Sequence, residues 1–358
     1  MNDIRKARSQ TFRVMDASVQ TDFDAWLGLW AAWPEREVHA HPAYVRLFTD
    51  DSSSARCATF ELSGRTVLFP FLLRSISSDL LDQASLSGLR DIITPYGYGG
   101  AVWWGDSSED ISDEFWRCFD DWARQQRVVS EFVRFSLRDR NLVTYPGTVE
   151  AKQDNVVRDL DLSAEGLWMD FDHKVRKNVK KAERSGVHIV VDLLGTHFGD
   201  FYRIYSATLD RRDANDAYYF PKTFFDSIHA DLPGQFAYFH AMSDGRIVST
   251  ELVLISTDTV YSFLGGTDSS AFDLRPNDLL KYRIMQWATE QGKLHFVLGG
   301  GYSAGDGIFR YKLAFAPKGA RQFRVGSRVV EKMLYGKLVE AAESQHAVSA
   351  GFFPAYRG

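Results

Sequence analysis

Residues 259–315 read TVYSFLGGTDSSAFDLRPNDLLKYRIMQWATEQGKLHFVLGGGYSAGDGIFRYKLAF. The aromatic run Val260 to Leu264 has the composition of a strand and reads as breaking on Gly265-Gly266 into a polar loop. A helix is expected from Pro276 to Gln291, followed by a buried strand from Leu294 to Leu298. Gly299, Gly300 and Gly301 end that strand, and the basic-aromatic run Phe309-Arg310-Tyr311-Lys312 comes next, whose plain reading is an edge strand with a surface lysine. Strand, crossover helix and strand make a βαβ unit, whose open side is where such units bind ligands. The floor of an active site is expected here.

The rest of the chain is ordinary in bulk. Its 358 residues point to two domains, and 45% hydrophobic, 25% charged and 14% aromatic residues are those of a globular protein. A formal net charge of -5 means that any polyanion would need a local basic patch. The cysteines, Cys57 and Cys118, lie far apart without ligand-like neighbours, which argues against a disulfide framework or a zinc site. The N-terminus has no apolar run of the signal-peptide kind, and no stretch approaches the ~20 apolar residues of a membrane helix. A cytoplasmic protein without stable membrane insertion is expected.

Working outward, residues 1–150 read as one mixed α/β domain and residues 151–324 as a second. Helices are expected over Phe23 to Trp33, Ala43 to Phe48 and Ile111 to Gln125. Cys57 to Leu62, Ser63-Gly64 and Arg65 to Leu73 read as a hairpin, and Thr94 to Gly100 as a glycine-rich loop. In the second domain, Ser163 caps a short helix, Asp172 to Ser185 forms a basic helix, and Gly186 closes it in the left-handed conformation. Val325 to Ser344 reads as a terminal helix packing on the first domain, with a loose tail beyond. Hairpin, glycines, helix and strand occur in that order in both halves, which suggests two similar α/β domains.

Three features invite a ligand. On the basic helix, His173, Arg176, Lys177, Lys180 and Arg184 share one face, with Glu183 as the local countercharge. In an acidic protein, that concentration of cations suggests an anionic partner, either a diphosphate or a nucleic-acid backbone. Gly299-Gly300-Gly301 suits close approach of a ligand to backbone N–H groups, but it is neither a P-loop nor a dinucleotide fingerprint. Lys312, beside Arg310, Tyr311 and Phe315, suits a stacking and charge contact to a nucleotide. No Ser-His-Asp, Cys-His or metal-ligand spacing stands out, so chemistry without metal or covalent intermediate is expected.

These residues, taken together, resemble the GNAT-like domain of the Fem-type (FemABX-like) aminoacyltransferases, which build peptidoglycan cross-bridges. The resemblance rests on Arg176-Lys177-Asn178-Val179-Lys180-Lys181-Ala182 with Gly186-Val187, and on Leu209-Asp210-Arg211 leading to Tyr218-Tyr219-Phe220-Pro221. It continues through Gly265-Gly266, Pro276-Asn277-Asp278-Leu279-Leu280, Leu298 to Gly301 and Phe309 to Phe315. Thr94 to Gly100 is similar to the family's Tyr-Gly-Tyr loop. The resemblance implies two GNAT-like domains in tandem, with residues 325–358 packing back on the first.

It also implies transfer of an amino acid from aminoacyl-tRNA onto an amine, a peptidoglycan precursor or a small peptide or natural product. Tyr96, Tyr98, Arg211 and Tyr218 would then border the acceptor, Arg176 would serve its phosphates, and Tyr311-Lys312 would take the 3′ end of the tRNA. For proton removal, Asp106, just after the Tyr-Gly-Tyr loop, or a water relay is the candidate. The long coiled-coil hairpin of some members is absent. The pyrophosphate loop of CoA-using relatives would fall at Ser270 to Arg275, which has no glycine. Two rival readings are a CoA-dependent N-acyltransferase and a non-catalytic module binding nucleotide-sugar or polysaccharide.

Overall fold

The computed structural model describes residues 10–76, 87–106, 110–138, 140–303, 305–345 and 351–358. The chain divides into two compact units, residues 1–152 with 323–358, and residues 153–322. The first unit opens with β1 (Thr11–Asp16), α1 (Gln20–Ala32), α2 (Pro42–Arg46), β2 (Ser53–Leu62) and β3 (Arg65–Ser75). It continues with β4 (Arg90–Ile93), β5 (Val102–Gly105), α3 (Ser112–Gln125), β6 (Val128–Arg134) and β7 (Thr148–Ala151). Its core is rich in rings: Phe60, Phe69 and Phe71 of the hairpin pack against Phe115, Trp116 and Phe119 of α3. Each such ring contributes ~1.5–3 kcal/mol of burial.

The second unit runs β8 (Asn155–Asp159), α4 (Ala164–Asp170), α5 (His173–Arg184), β9 (His188–Asp192), α6 (Phe198–Arg211) and α7 (Lys222–Asp231). There follow β10 (Phe236–Ser243), β11 (Arg246–Ile255), β12 (Thr259–Thr267), α8 (Pro276–Glu290), β13 (His295–Gly299), α9 (Gly307–Leu313) and β14 (Ala320–Arg321). The sheet order is β14-β8-β13-β12-β11-β10-β9. Val175, Val179 and Ala182 of α5 and Leu280, Ile284 and Met285 of α8 pack with Phe239, Val253 and Phe296 of the sheet.

The chain then returns to the first unit with β15 (Arg324–Val329) and α10 (Lys332–Gln345), completing the order β1-β2-β3-β4-β6-β15-β7. Both sheets have the same polarity along that order. With the second sheet read from β9, every pair is antiparallel except the fourth, which is β4–β6 in one and β12–β13 in the other. In each, a hairpin precedes that pair and a helix, α3 or α8, crosses between its strands. The repeat expected from element order is therefore a repeat of topology.

Several local expectations are corrected. β12 does not break at Gly265-Gly266. A side chain on Gly265 would meet the Thr250 carbonyl at 2.5 Å, and one on Gly266 the Ile204 carbonyl of α6 at 2.9 Å. These glycines let neighbouring backbone approach a continuous strand. Phe309 to Lys312 is helix, not edge strand: the Asp306 carboxylate caps α9 by accepting from the Phe309 N–H at 2.7 Å. One turn on, Tyr311 and Phe315 stack edge-on at 5.3 Å. Val325 to Val329 is strand rather than the start of the last helix, because it pairs with both β6 and β7.

Nor is the described end of the chain, residues 351–358, loose. The hydroxyl of buried Tyr356 hydrogen-bonds Ser130 at 2.8 Å and donates to Asp91 at 3.1 Å. Arg357 Nε donates to the same fully buried carboxylate at 2.5 Å, and Arg74 Nε reaches its other oxygen at 2.7 Å. α10 packs beside it through Leu338 and Ala342 against Leu89 and Val129.

Candidate active site

The parallel pair of the second unit opens at its carboxyl end. β12 and β13 pair from Thr259–His295 to Tyr261–Val297, and the ladder stops there. Just beyond, β12 is bulged against β11: Ser262 faces Val253 and Leu264 faces Leu252. On the other flank, the β13–β8 register slips between Val297 and Gly299. Bulges bend strands, so two in this place re-aim both strand ends. Gly299 completes the turn with φ +82, a conformation that favours glycine.

Lys312, on α9, is half-buried and reaches back to this opening, where its Nζ donates to the Gly300 carbonyl at 2.7 Å. A side chain on Gly299 would sit 3.3 Å from that ammonium. Burial, and then the nearby charge of Lys281, bring the Lys312 pKa down to about 8, against the pull of Glu251 and Asp306. Lys281, on α8, makes a 2.5 Å ion pair with Glu251 of β11 and donates to Ser262 Oγ at 2.8 Å. The two side chains of that pair are only 8% and 4% exposed.

The first turn of α8 ties these groups to their surroundings. Asn277 Nδ2 donates to the Tyr311 hydroxyl at 2.9 Å, and Asn178 Nδ2 of α5 donates to Asp278 at 3.1 Å. Burial raises the Asp278 carboxyl above its ordinary range, opposed by Asn178, Arg275 and Lys174. The turn before α8, Ser269–Leu274, is a 3₁₀ helix started by Asp268, whose carboxylate accepts from the Ser270 N–H at 3.0 Å. Asp306 also accepts from the Tyr302 and Ser303 N–H groups at 2.6 and 3.1 Å, and these main-chain donors hold its carboxyl below the usual range.

Of the residues expected from sequence, Gly299, Gly300, Gly301, Tyr311 and Lys312 come together here. Arg176 is engaged elsewhere: its guanidinium donates to the Met169 carbonyl at 2.9 Å and to the Phe171 carbonyl, closing the α4–α5 turn. Arg211 is exposed at the end of α6, over the Phe272 ring at 5.1 Å. Tyr218 lies in a short turn where its carbonyl accepts from the Tyr205 hydroxyl.

In the first unit, the Tyr-Gly-Tyr loop interrupts a strand position: β4 and β5, on either side of it, both pair with β3. Tyr98 is half-buried, edge-on to His39 at 5.3 Å, and exposed Tyr96 stacks on Phe48 at 6.2 Å. The Tyr44 hydroxyl donates to the Tyr96 carbonyl at 2.8 Å. Burial lowers His39 to about 3, so it is neutral at pH 7. Asp106 is exposed, one residue beyond β5.

Sequence reasoning missed Lys281, Glu251 and Ser262, and it quoted Asn178, Asn277 and Asp278 within motifs without giving them a role. A signal existed for the ion pair: Lys281 lies three, four and seven residues before Ile284, Met285 and Ala288, inside an apolar stripe. Glu251 likewise interrupts an apolar strand. Among the described residues, no cluster of three or more His, Cys, Asp or Glu is placed to hold a metal ion. None of the described helices is long and apolar enough to cross a membrane.

Known proteins bear on this geometry. Residues 170–313 match the acetyltransferase (GNAT) domain family. No curated protein matches the chain by sequence. Among solved structures, FemX superposes with a TM-score of 0.64 at 12% identity, covering 88% of this chain and 97% of its own. A conserved protein of unknown function from Bacteroides thetaiotaomicron gives 0.57 at 9% identity, with 90% and 100% covered. L-PGS from Bacillus licheniformis gives 0.55 at 14% identity, with 88% and 93% covered. Residues 170–313 thus match an acetyltransferase (GNAT) domain, within a two-unit α/β chain whose fold is similar to that of FemX.

Proposed function

We propose that this acyltransferase moves an amino acid from the 3′ end of aminoacyl-tRNA onto an amine and forms an amide bond. The observation that carries the reading is Lys312, held on the Gly300 carbonyl where β12 and β13 part, with a pKa of about 8. The lone pair of a neutral acceptor amine attacks the ester carbonyl carbon, and the carbon–oxygen bond to the ribose then breaks. The attacking nitrogen must lose one proton and the leaving 3′ oxygen must gain one. A lysine poised near neutrality can do both in turn, which makes a separate base such as Asp106 unnecessary. The main-chain N–H groups near Gly265 or at Gly299–Gly301 are the candidate oxyanion donors, each worth ~3 kcal/mol. Holding both substrates there contributes a further ~7–11 kcal/mol.

The start of α8 supports this donor over CoA. The 3₁₀ turn before it has no glycine, and its first turn carries the buried Asp278 carboxyl. A diphosphate at that helix start would meet a carboxyl group instead of a ring of free N–H groups. The acceptor is an amine-bearing cell-wall precursor or small peptide, and the charged tRNA places the reaction in the cytoplasm. A CoA-dependent N-acyltransferase is the second reading, favoured by the acetyltransferase model that residues 170–313 match. Incubation with charged total tRNA and candidate amines, read by mass for an added aminoacyl group, tests the first. Clear thermal stabilisation by acyl-CoA, with activity insensitive to RNase, would instead support the second. Transfer unchanged by Lys312→Ala would take the chemistry away from this opening and favour a non-catalytic, sugar-binding role for it.

A further inference from the structure

α5 carries Lys174, Arg176, Lys177, Lys180, Lys181 and Arg184 against a single carboxylate, Glu183, which accepts from Arg283 at 3.1 Å. Part of this charge is used within the fold. Arg176 binds main-chain carbonyls, Lys180 lies 5.7 Å from the Trp168 ring, and Arg184 Nε donates to the Lys180 carbonyl at 3.1 Å. Lys174, Lys177 and Lys181 are exposed. Their spacing of three and four residues makes one stripe roughly 10 Å long, on the side away from buried Val175, Val179 and Ala182. Like charges so spaced destabilise an isolated helix, and of the three only Lys181, in the last turn, is placed to gain from its dipole. The stripe therefore has no explanation in the stability of α5.

Its position gives it one. Asn178, one residue past Lys177, binds Asp278, and adjacent Asn277 binds Tyr311, the neighbour of Lys312. A continuous line of contacts thus leads from Lys312 over the first turn of α8 to α5. A donor whose ester lies at Lys312, and whose polyanionic body continues past α8, would meet the lysines next. We propose that Lys174, Lys177 and Lys181 bind the phosphate backbone of the donor's acceptor stem, an A-form RNA helix read by shape and charge rather than by base sequence. The inference rests on the aminoacyl-tRNA reading and gives it a body contact that needs no coiled coil.

The test compares the full chain with its K174Q/K177Q/K181Q variant, using intact aminoacyl-tRNA and an aminoacylated CCA trinucleotide as alternative donors. kcat/KM for the intact tRNA is expected to fall at least tenfold, mostly through KM, and its salt slope to flatten by about 3. With the trinucleotide, the change should stay within twofold. Equal losses on both donors, or no loss on either, would overturn the stem contact and leave the donor assignment standing. Transfer from neither donor by the unaltered chain would remove both. Lysine-dependent binding to phosphatidylglycerol vesicles, with none to an uncharged acceptor-stem minihelix, would assign the stripe to a membrane instead.

Discussion

Lys312 and Gly300 are joined across the mouth of the parallel strand pair, with the ammonium donating to the carbonyl at 2.7 Å. The side chain proposed to carry the chemistry is thereby fixed to the strand end that lines the opening. Replacing Lys312 with alanine should lower kcat about 100-fold, the usual effect of losing one group aimed at developing charge. Lys312→Arg keeps the charge but not the titration, and should recover little of the rate.

The pH profile gives an independent readout. Lys312 is protonated below about 8 and neutral above it. Because Lys312 takes the amine's proton before giving one to the leaving oxygen, its neutral form starts the cycle and kcat should rise as pH rises through about 8. That limb should vanish from the residual activity of Lys312→Arg, because arginine stays charged over this range. A limb that persists unchanged in the variant would assign the titration to another group.

Gly301 lies against the cap of α9. A side chain there would overlap the Asp306 carboxylate, which holds the Tyr302, Ser303 and Phe309 N–H groups. Gly301→Ala should displace the cap and with it the helix bearing Lys312. Turnover is expected to fall about 10- to 100-fold through misplacement alone. Near-native turnover in this variant would show that the loop yields without moving Lys312.

Lys281 and Glu251 form a buried pair, so losing one partner strands the other. Lys281→Ala should cost ~3–5 kcal/mol in urea denaturation, and Lys281→Met with Glu251→Leu should regain much of it. Turnover should remain low in the double variant, because Ser262 and Lys312 lose the charges that position them. Full activity in a stable double variant would reduce the pair to a structural element.

In the first unit, Arg357 holds the chain end on Asp91. Arg74 keeps its own bond to that carboxylate, so Arg357→Ala should cost about 2 kcal/mol, the scale of one charged hydrogen bond. Chemical denaturation measures it, and no change would mean that Tyr356 alone anchors the segment.

The sequence was most informative where periodicity and punctuation agree. α8 and β13 are bounded by Pro276 and Gly299, and the tandem topology shows in the order of hairpin, helix and strand. α9 was misread because Phe309 and Tyr311 alternate with Arg310 and Lys312 as in a strand, while the deciding signal was the capping carboxylate of Asp306. β15 was misread because Val325, Val329 and Met333 keep helical spacing, although two flanking strands claim the segment. The polar partners of the site could not be read from local pattern. Lys281 meets Glu251 thirty residues away and Asn178 meets Asp278 one hundred away, so only the folded sheet brings them together.

The identity of the donor is tested most directly by supplying charged total tRNA or acyl-CoA, each with a panel of amines, and weighing the products. The expected result is an aminoacyl mass added to an amine only in the tRNA reaction, abolished by RNase and by Lys312→Ala. An acyl group delivered from CoA, with RNase-insensitive activity and no aminoacyl product, would contradict it.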